Sequence, residues 1–241
     1  MKKLNTILNV LLIAASTIAS WVVWENRQAW LPDKVPVHWG VDFTPDKWAS
    51  RDDMFWYLFA VPIVMVGLWM LLAALIYWFS PRGFEPAKAN PQLNSFIILL
   101  VVGLCAALHA VILLGYITQK MPVSQGIMGV IFLFFILLGN VMGKIQRNFW
   151  MGIRTPWALA NNQVWEKTHR LGAWLFVGAG VVGLLSLFFT VLVPMPIMIW
   201  VWIGLLGVAA LIPAIYSLVY YKELERSGKL DEPSQEAVAS S

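Results

Sequence analysis

Residues able to do chemistry gather in two stretches of the 241-residue chain. In the first, Glu25–Asp53, His38, Asp42 and Asp46 follow at four-residue intervals. Imidazole and carboxylate suit zinc or a harder divalent cation. His38, Asp42 and Asp46 are therefore a candidate metal set, with Glu25 or Asp53 as a further ligand, and would serve a membrane-embedded metal-dependent enzyme. Against this, Pro32, Pro36, Pro45 and Gly40 exclude a long helix and favour an extended, turned segment, in which four-residue spacing puts nothing on one face. Asp33, Asp42 and Asp46 can equally be turn residues, and no HExxH-type helix supports a hydrolase. The preferred reading is a ligand-binding loop with no catalysis, in which His38, Trp39, Asp42 and Asp46 make contact. Six acids against four bases make the stretch mildly acidic, which suits a cationic ligand. Trp30, Trp39 and Trp48 can rest on lipid headgroups.

The second stretch is Lys144–Gly172. Thr155 can cap a short helix with Pro156 at its first position. Asn161 or Asn162 can cap a second helix beginning near Gln163, on which Trp165, Thr168 and His169 share one face. Trp150, Trp157 and Trp165 with five bases could form an interfacial belt on anionic lipid. The competing reading is a rigid pocket or docking surface around Arg154, Trp157 and His169. The guanidinium offers five donors in a planar fork, which Trp157 could stack on and His169 could close. Asn140, Asn148, Thr155 and Trp165 are further candidates for that surface.

Both stretches are set in apolar sequence. Hydrophobic residues make up 59% of the chain, charged residues only 12%, and mean hydropathy is +0.70. A soluble domain is about 45–50% apolar and about 25% charged, so lipid is the main solvent. The net charge of +4 then concerns topology, and direct nucleic-acid binding is not expected. Crossing the hydrocarbon takes about 20 apolar residues. Six runs qualify: Leu4–Trp24, Phe55–Phe79, Ser95–Thr118, Gln125–Gly143, Ala173–Val193 and Ile197–Tyr220. The first is longer than a signal-peptide core and lacks a clean cleavage site. Val193-Pro194-Met195-Pro196 makes a tight turn between the last two.

The expected fold is an all-α integral membrane protein, a six-transmembrane-helix bundle with one long outer and one long inner loop. With the N-terminus inside, twelve Lys and Arg lie on the inner side and five on the outer, so N-in and C-in is favoured. Three parts are expected: a two-helix unit with the outer loop (1–80), a four-helix membrane domain with the inner loop (81–221), and a disordered cytoplasmic tail (222–241). Cys105 reads as a small packing residue. His109, mid-span, is a functional candidate by position, though a neutral imidazole bonded to a neighbouring helix explains it as well. Gly139 and Gly143 suit close helix packing. No chain of acids crosses the membrane, which argues against a proton-coupled pump, and a small-solute transporter is a further alternative.

The run Gly139-Asn140-x-x-Gly143-Lys144-x-x-x-Asn148-x-x-x-Gly152-Ile153-Arg154-Thr155-Pro156-Trp157-x-Leu159, followed by Val164-Trp165-x-x-Thr168-His169-Arg170, resembles the signature of the SdpI family of bacterial membrane proteins. The outer Leu31-Pro32-x-x-Val35-Pro36-x-His38-Trp39 with Pro45-Asp46 resembles the domain of unknown function that often precedes it. Phe43 stands where that pattern usually has Gly. The resemblance implies a multi-pass protein of the bacterial cytoplasmic (inner) membrane. It implies immunity to a secreted peptide toxin met outside, with signalling to a cytoplasmic protein in some members. It supplies no catalytic residues.

Overall fold

The computed structural model describes residues 2–40, 44–79, 90–119 and 123–230. Asp42, Phe43, the 80–89 connection and the 231–241 end of the expected tail lie outside the described residues. Six helices are long and apolar enough to cross a membrane: α1 (Lys2–Glu25), α3 (Phe55–Tyr77), α4 (Pro91–Thr118), α5 (Val123–Met142), α7 (Asn162–Ser186) and α8 (Met195–Arg226). The short helices α2 (Arg27–Trp30) and α6 (Pro156–Ala160) lie in the two long loops. The expected six-span bundle is observed. The first long loop adds a two-stranded antiparallel hairpin, β1 (Lys34–Trp39) and β2 (Pro45–Ser50).

Packing divides the bundle into halves. Helices α1, α3 and α4 pack on one another, α7 packs on both α5 and α8, and α4 meets α5 across the middle. Helix α4 belongs to both, since it packs on α5 at least as extensively as on α3. Residue 80, the boundary expected from the sequence, falls between α3 and α4, which pack on one another. Helix α8 also continues to Arg226, past Tyr221, so residues 222–226 are helical where a disordered tail was expected to begin.

The second half is held by close backbone approach. A Cβ on Gly139 would stand 2.9 Å from the Ala173 carbonyl oxygen and from Val177 N, and one on Gly180 would stand 2.6 Å from the Phe132 carbonyl oxygen. Small residues therefore let α5 and α7 meet backbone to backbone, the packing that substitutes in lipid for a hydrophobic driving force.

The first half is held by polar contacts. Asn5, Asn9, Ser16 and Ser20 are all buried, and their spacing places them along one face of α1. Asn5 Nδ2 donates to Ser95 Oγ at 2.9 Å. Pro62 lies inside α3 and has no N–H, so the carbonyl of Leu58 loses its helical donor. The Ser20 hydroxyl donates to that carbonyl at 2.7 Å. Its only proton is thereby committed, so the 3.2 Å contact between Ser20 Oγ and His109 Nε2 has the imidazole as donor. His109 is bonded to a neighbouring helix, in keeping with the simpler of its two readings.

Ser20→Ala should therefore cost about 1 kcal/mol, the scale of an interhelical hydrogen bond in lipid. In a Pro62→Ala background the helix regains its own donor for Leu58, and the cost should fall by more than half. A double-mutant cycle on unfolding in mixed micelles measures both. An undiminished cost in Pro62→Ala would remove the proline from the account.

Candidate functional site

The two motif-bearing loops lie at opposite ends of the bundle. The hairpin packs on Leu113 and Tyr116 near the end of α4, whereas residues 144–161 pack near Leu93 and Ile97 at its start.

At the hairpin end, Leu31, Val35 and Met54 are buried with Val23 of α1 and Leu58 of α3. The first and third apolar positions of the Leu-Pro-x-x-Val-Pro-x-His-Trp motif thus anchor the hairpin. Pairing runs from Lys34 opposite Ser50 to Trp39 opposite Pro45, with two irregularities that leave Val37 and then Asp46 unopposed. Trp39 stacks on Tyr116, centroids 6.4 Å apart and rings 14° from parallel. Arg51 ties the base, with Nη2 3.0 Å from Asp33 Oδ1 and Nη1 donating to the Leu31 carbonyl at 3.2 Å. Asp52 accepts from Gln28 Nε2 at 2.8 Å and stands 3.6 Å from Arg27 Nε.

Between the hairpin and the α4–α5 turn lies a cleft of about 520 Å³, walled by Pro36, Trp39, Pro45, Trp48, Tyr116 and Gln119. Lys34 lines it, and no carboxylate does among the described residues. Acidity was the sequence argument for a cationic ligand. In the fold, Asp33, Asp46 and Asp52 are each paired within the loop, and the concave surface is aromatic and proline-rich instead. His38 and Asp46, two of the three candidate metal ligands, do meet: Nδ1 lies 2.5 Å from Oδ1. Asp42 is outside the described residues, and among those described no group of three His, Cys, Asp or Glu side chains gathers.

At the other end, residues 144–161 form a plug that satisfies its own backbone. Asn148 is fully buried. Its Oδ1 accepts from Trp150 N at 2.8 Å and Met151 N at 2.6 Å, and its Nδ2 donates to the carbonyls of Gln146 and Met151 at 2.9 and 3.2 Å. All four valences of the amide are used. Trp165 Nε1 donates to the Ile145 carbonyl at 2.6 Å. The buried His169 accepts from Ile153 N at Nε2, 2.9 Å, so its Nδ1 carries the proton that goes to the Trp165 carbonyl at 2.9 Å. That pattern requires the neutral imidazole. Its ring also stacks on Trp165 with centroids 3.9 Å apart.

Both expected caps are present. The Thr155 hydroxyl accepts from Ala158 N to begin α6, and Asn161 Oδ1 accepts from Val164 N to begin α7. Each also reaches a distant element. Ser217 gives its proton to the Ala214 carbonyl, so Thr155 donates to Ser217 Oγ of α8 at 2.7 Å, and Asn161 Nδ2 donates to the Leu230 carbonyl at 2.6 Å.

The structure rearranges the remaining expectations. Trp165, expected at the lipid interface or on a docking surface, is 1% exposed and belongs to the core, with Trp157 half-buried beside it. Trp165, Thr168 and His169 do share a face, but it is turned inward. Arg154 is exposed and donates from Nη1 to the Phe149 carbonyl at 2.7 Å. His169 does not close a pocket over it, because both its nitrogens hold backbone. The cause is the alternation after Gly152, whose φ of +95° turns Ile153 inward and leaves Arg154 facing out. Asn140 is exposed on α5. Ser20, Asn9 and Ser217 escaped the sequence reading. The four- and seven-residue spacing of polar side chains in α1 was the available signal, since a polar residue in a span must face protein.

Gly152 is the tightest point of the plug, because a Cβ there would run into His169 Nε2 in addition to straining the backbone. Gly152→Ala should destabilise by more than about 2 kcal/mol. Gly178→Ala, in the middle of α7 with nothing within 4 Å, should be neutral or slightly stabilising. Thermal unfolding of the two purified variants in detergent makes the comparison, and equal melting temperatures would refute the packing argument.

Comparison with known proteins agrees with this anatomy. Residues 144–217, the plug with α7 and most of α8, match the model of the SdpI/YfhL protein family. Residues 11–66, from α1 through the hairpin into α3, match a domain of unknown function, DUF1648. Over 228 residues, 94% of this chain and all of the relative, the chain is 26% identical to the protein named Immunity protein SdpI of Bacillus subtilis (strain 168). No solved structure matches. The likeness to the SdpI family read from the two motifs is thus met by that family's own model at one motif and by its accompanying domain at the other, in a multi-pass protein of the bacterial cytoplasmic membrane.

Proposed function

We propose that this chain is an immunity protein that protects the cell carrying it from a secreted antimicrobial peptide, met at the hairpin end on the outer face of the membrane. The observation that carries the reading is the aromatic and proline-walled cleft held on the end of α4 by the Trp39–Tyr116 stack. The name borne by the relative supports it. The distribution of Lys and Arg supports the orientation, with the plug inside and the hairpin outside. Aromatic rings and prolines interleaved with polar groups suit an amphipathic stretch of peptide, and Lys34 favours an acidic group or chain terminus at its edge. At the inner end, the exposed Arg154 and Phe149 offer a surface for a cytoplasmic partner, through which a bound state could be signalled.

Expression in a peptide-sensitive host should raise survival. Trp48 lines the cleft and is 54% exposed, so Trp48→Ala should cut protection at least tenfold at unchanged membrane abundance. Trp56, 72% exposed on α3, is the matched control and should be dispensable. Unchanged killing with the protein present in the membrane would count against the proposal.

Arg154 tests the inner face. If its planar fork fixes a docking surface, Arg154→Lys and Arg154→Ala should both abolish protection while the protein still inserts. Full protection with lysine would reduce the residue to a positive anchor.

A further inference from the structure

The seam between α5 and α7 is open on one side. The two helices run antiparallel and meet where Gly139 faces Ala173 and Val177, and where Gly143 faces Arg170. In antiparallel right-handed helices the position after each contact turns to the same side of the seam. Asn140 and Lys144 therefore come beside Arg170 and Trp174, and all four are exposed, Trp174 at 73%. The other side is filled, with Phe135 stacked on Phe176. A rise of 1.5 Å per residue puts Asn140 and Trp174 about 6 Å deeper in the membrane than Lys144 and Arg170. Deeper still, the exposed Leu137 and Val181 continue the open side as apolar surface. Two cations thus stand at one end of a strip, an amide and an indole lie one turn in, and hydrocarbon follows. Asn140 is the unusual member. It lies within the apolar run that ends at Gly143, where a polar side chain ordinarily faces protein, yet it is turned outward.

We propose that this strip binds one anionic phospholipid, with its phosphate held between Lys144 and Arg170. The guanidinium can take two phosphate oxygens at once, and the ammonium adds a point charge. Asn140 then donates its amide to a glycerol ester carbonyl, Trp174 lies against the glycerol backbone at the depth where indoles anchor, and one acyl chain follows Leu137 and Val181. Selection for a net negative headgroup comes from the two charges together. One phosphate neutralises one of them, and a choline or ethanolamine head would bring its own cation against the other. The backbone approach at Gly139 is what sets the two stripes within reach of one lipid. A lipid held there bridges α5 and α7 beside the plug. The strip lies at the end away from the hairpin, so the inference does not rest on the immunity proposal.

The test uses the full-length protein in detergent, incubated with phosphatidylglycerol or with phosphatidylcholine of the same acyl chains, and native mass spectrometry counts the lipids retained. The expected result is one phosphatidylglycerol per chain, retained about tenfold more strongly than phosphatidylcholine, the scale of a charge-assisted hydrogen bond. Lys144→Gln with Arg170→Gln should abolish that preference. Arg226→Gln with Lys229→Gln removes the same charge from exposed positions at the end of α8 and should leave it intact. Asn140→Leu should weaken phosphatidylglycerol about fivefold, the scale of one neutral hydrogen bond, whereas a mere positive anchor would tolerate leucine on a face turned to lipid. Equal retention of the two lipids, or equal loss in the two charge-removing pairs, would overturn the site. Undiminished retention in Asn140→Leu would overturn it too, even were the Lys144 and Arg170 pair to misfold.

Discussion

A carbonyl or N–H inside a bilayer must find its partner within the protein, and this constraint organises the molecule at Pro62 of α3 and at the plug. Pro62 removes the donor owed to Leu58, and Ser20 of the neighbouring helix replaces it, with His109 bonded behind. The chain is continuous helix on either side of that proline, so the repair comes from packing α1 against α3. In the plug the same requirement is met by side-chain amides and rings. Asn148 takes four backbone groups, His169 two and Trp165 one. A non-helical segment can then sit among the helix ends without leaving its backbone unsatisfied.

That accounting explains why the two motifs look as they do. In Gly-Ile-Arg-Thr-Pro-Trp, the glycine supplies a positive φ beside His169, the threonine caps α6 and reaches α8, and the proline starts the short helix. Arginine is the member whose side chain faces out. In Leu-Pro-x-x-Val-Pro-x-His-Trp, leucine and valine are core, tryptophan is the stacked edge, and histidine is turned to solvent with Asp46. Most of each motif therefore builds the platform, and the outward positions are what a ligand or partner can touch.

The six spans were legible because length and hydropathy decide them with little competition from tertiary context. The caps at Thr155 and Asn161 were legible because capping is local chemistry. The contents of the 144–172 stretch were not. Trp165 and His169 are amphipathic types at home at an interface, and only the packing of α7 on α5 and α8, with the plug backbone bonded to both side chains, turns them inward. The division into halves was hidden as well. Nothing in α4 alone says that it packs on α1, since the matching polar residues, Asn5 and Ser95, lie 90 positions apart. The hairpin was masked by prolines at Pro36 and Pro45, which argue against a strand in a sheet interior. They are tolerated here because a two-stranded ribbon has only edge strands.

Helix α4 links these parts mechanically. Its 28 residues span about 42 Å at 1.5 Å each, more than the roughly 30 Å hydrocarbon core, so both ends emerge at an interface. Tyr116 at one end carries the hairpin, and Ile97 at the other packs in the cluster that holds the plug. Helices α3 and α8 contain Pro62 and Pro213, whereas α4 has no proline beyond its first residue. A helix without such a break moves as a body. Under the immunity proposal, a peptide that displaces Trp39 from Tyr116 would act on the end of a stiff rod whose far end bears on the plug. The alternative route runs through α5 and α7, whose backbones touch at Gly139 and Gly180 and leave little room to slide. The close approach of α5 and α7 thus disfavours rearrangement within the second half, and a displacement of α4 would be carried to the plug through the cluster around Ile97.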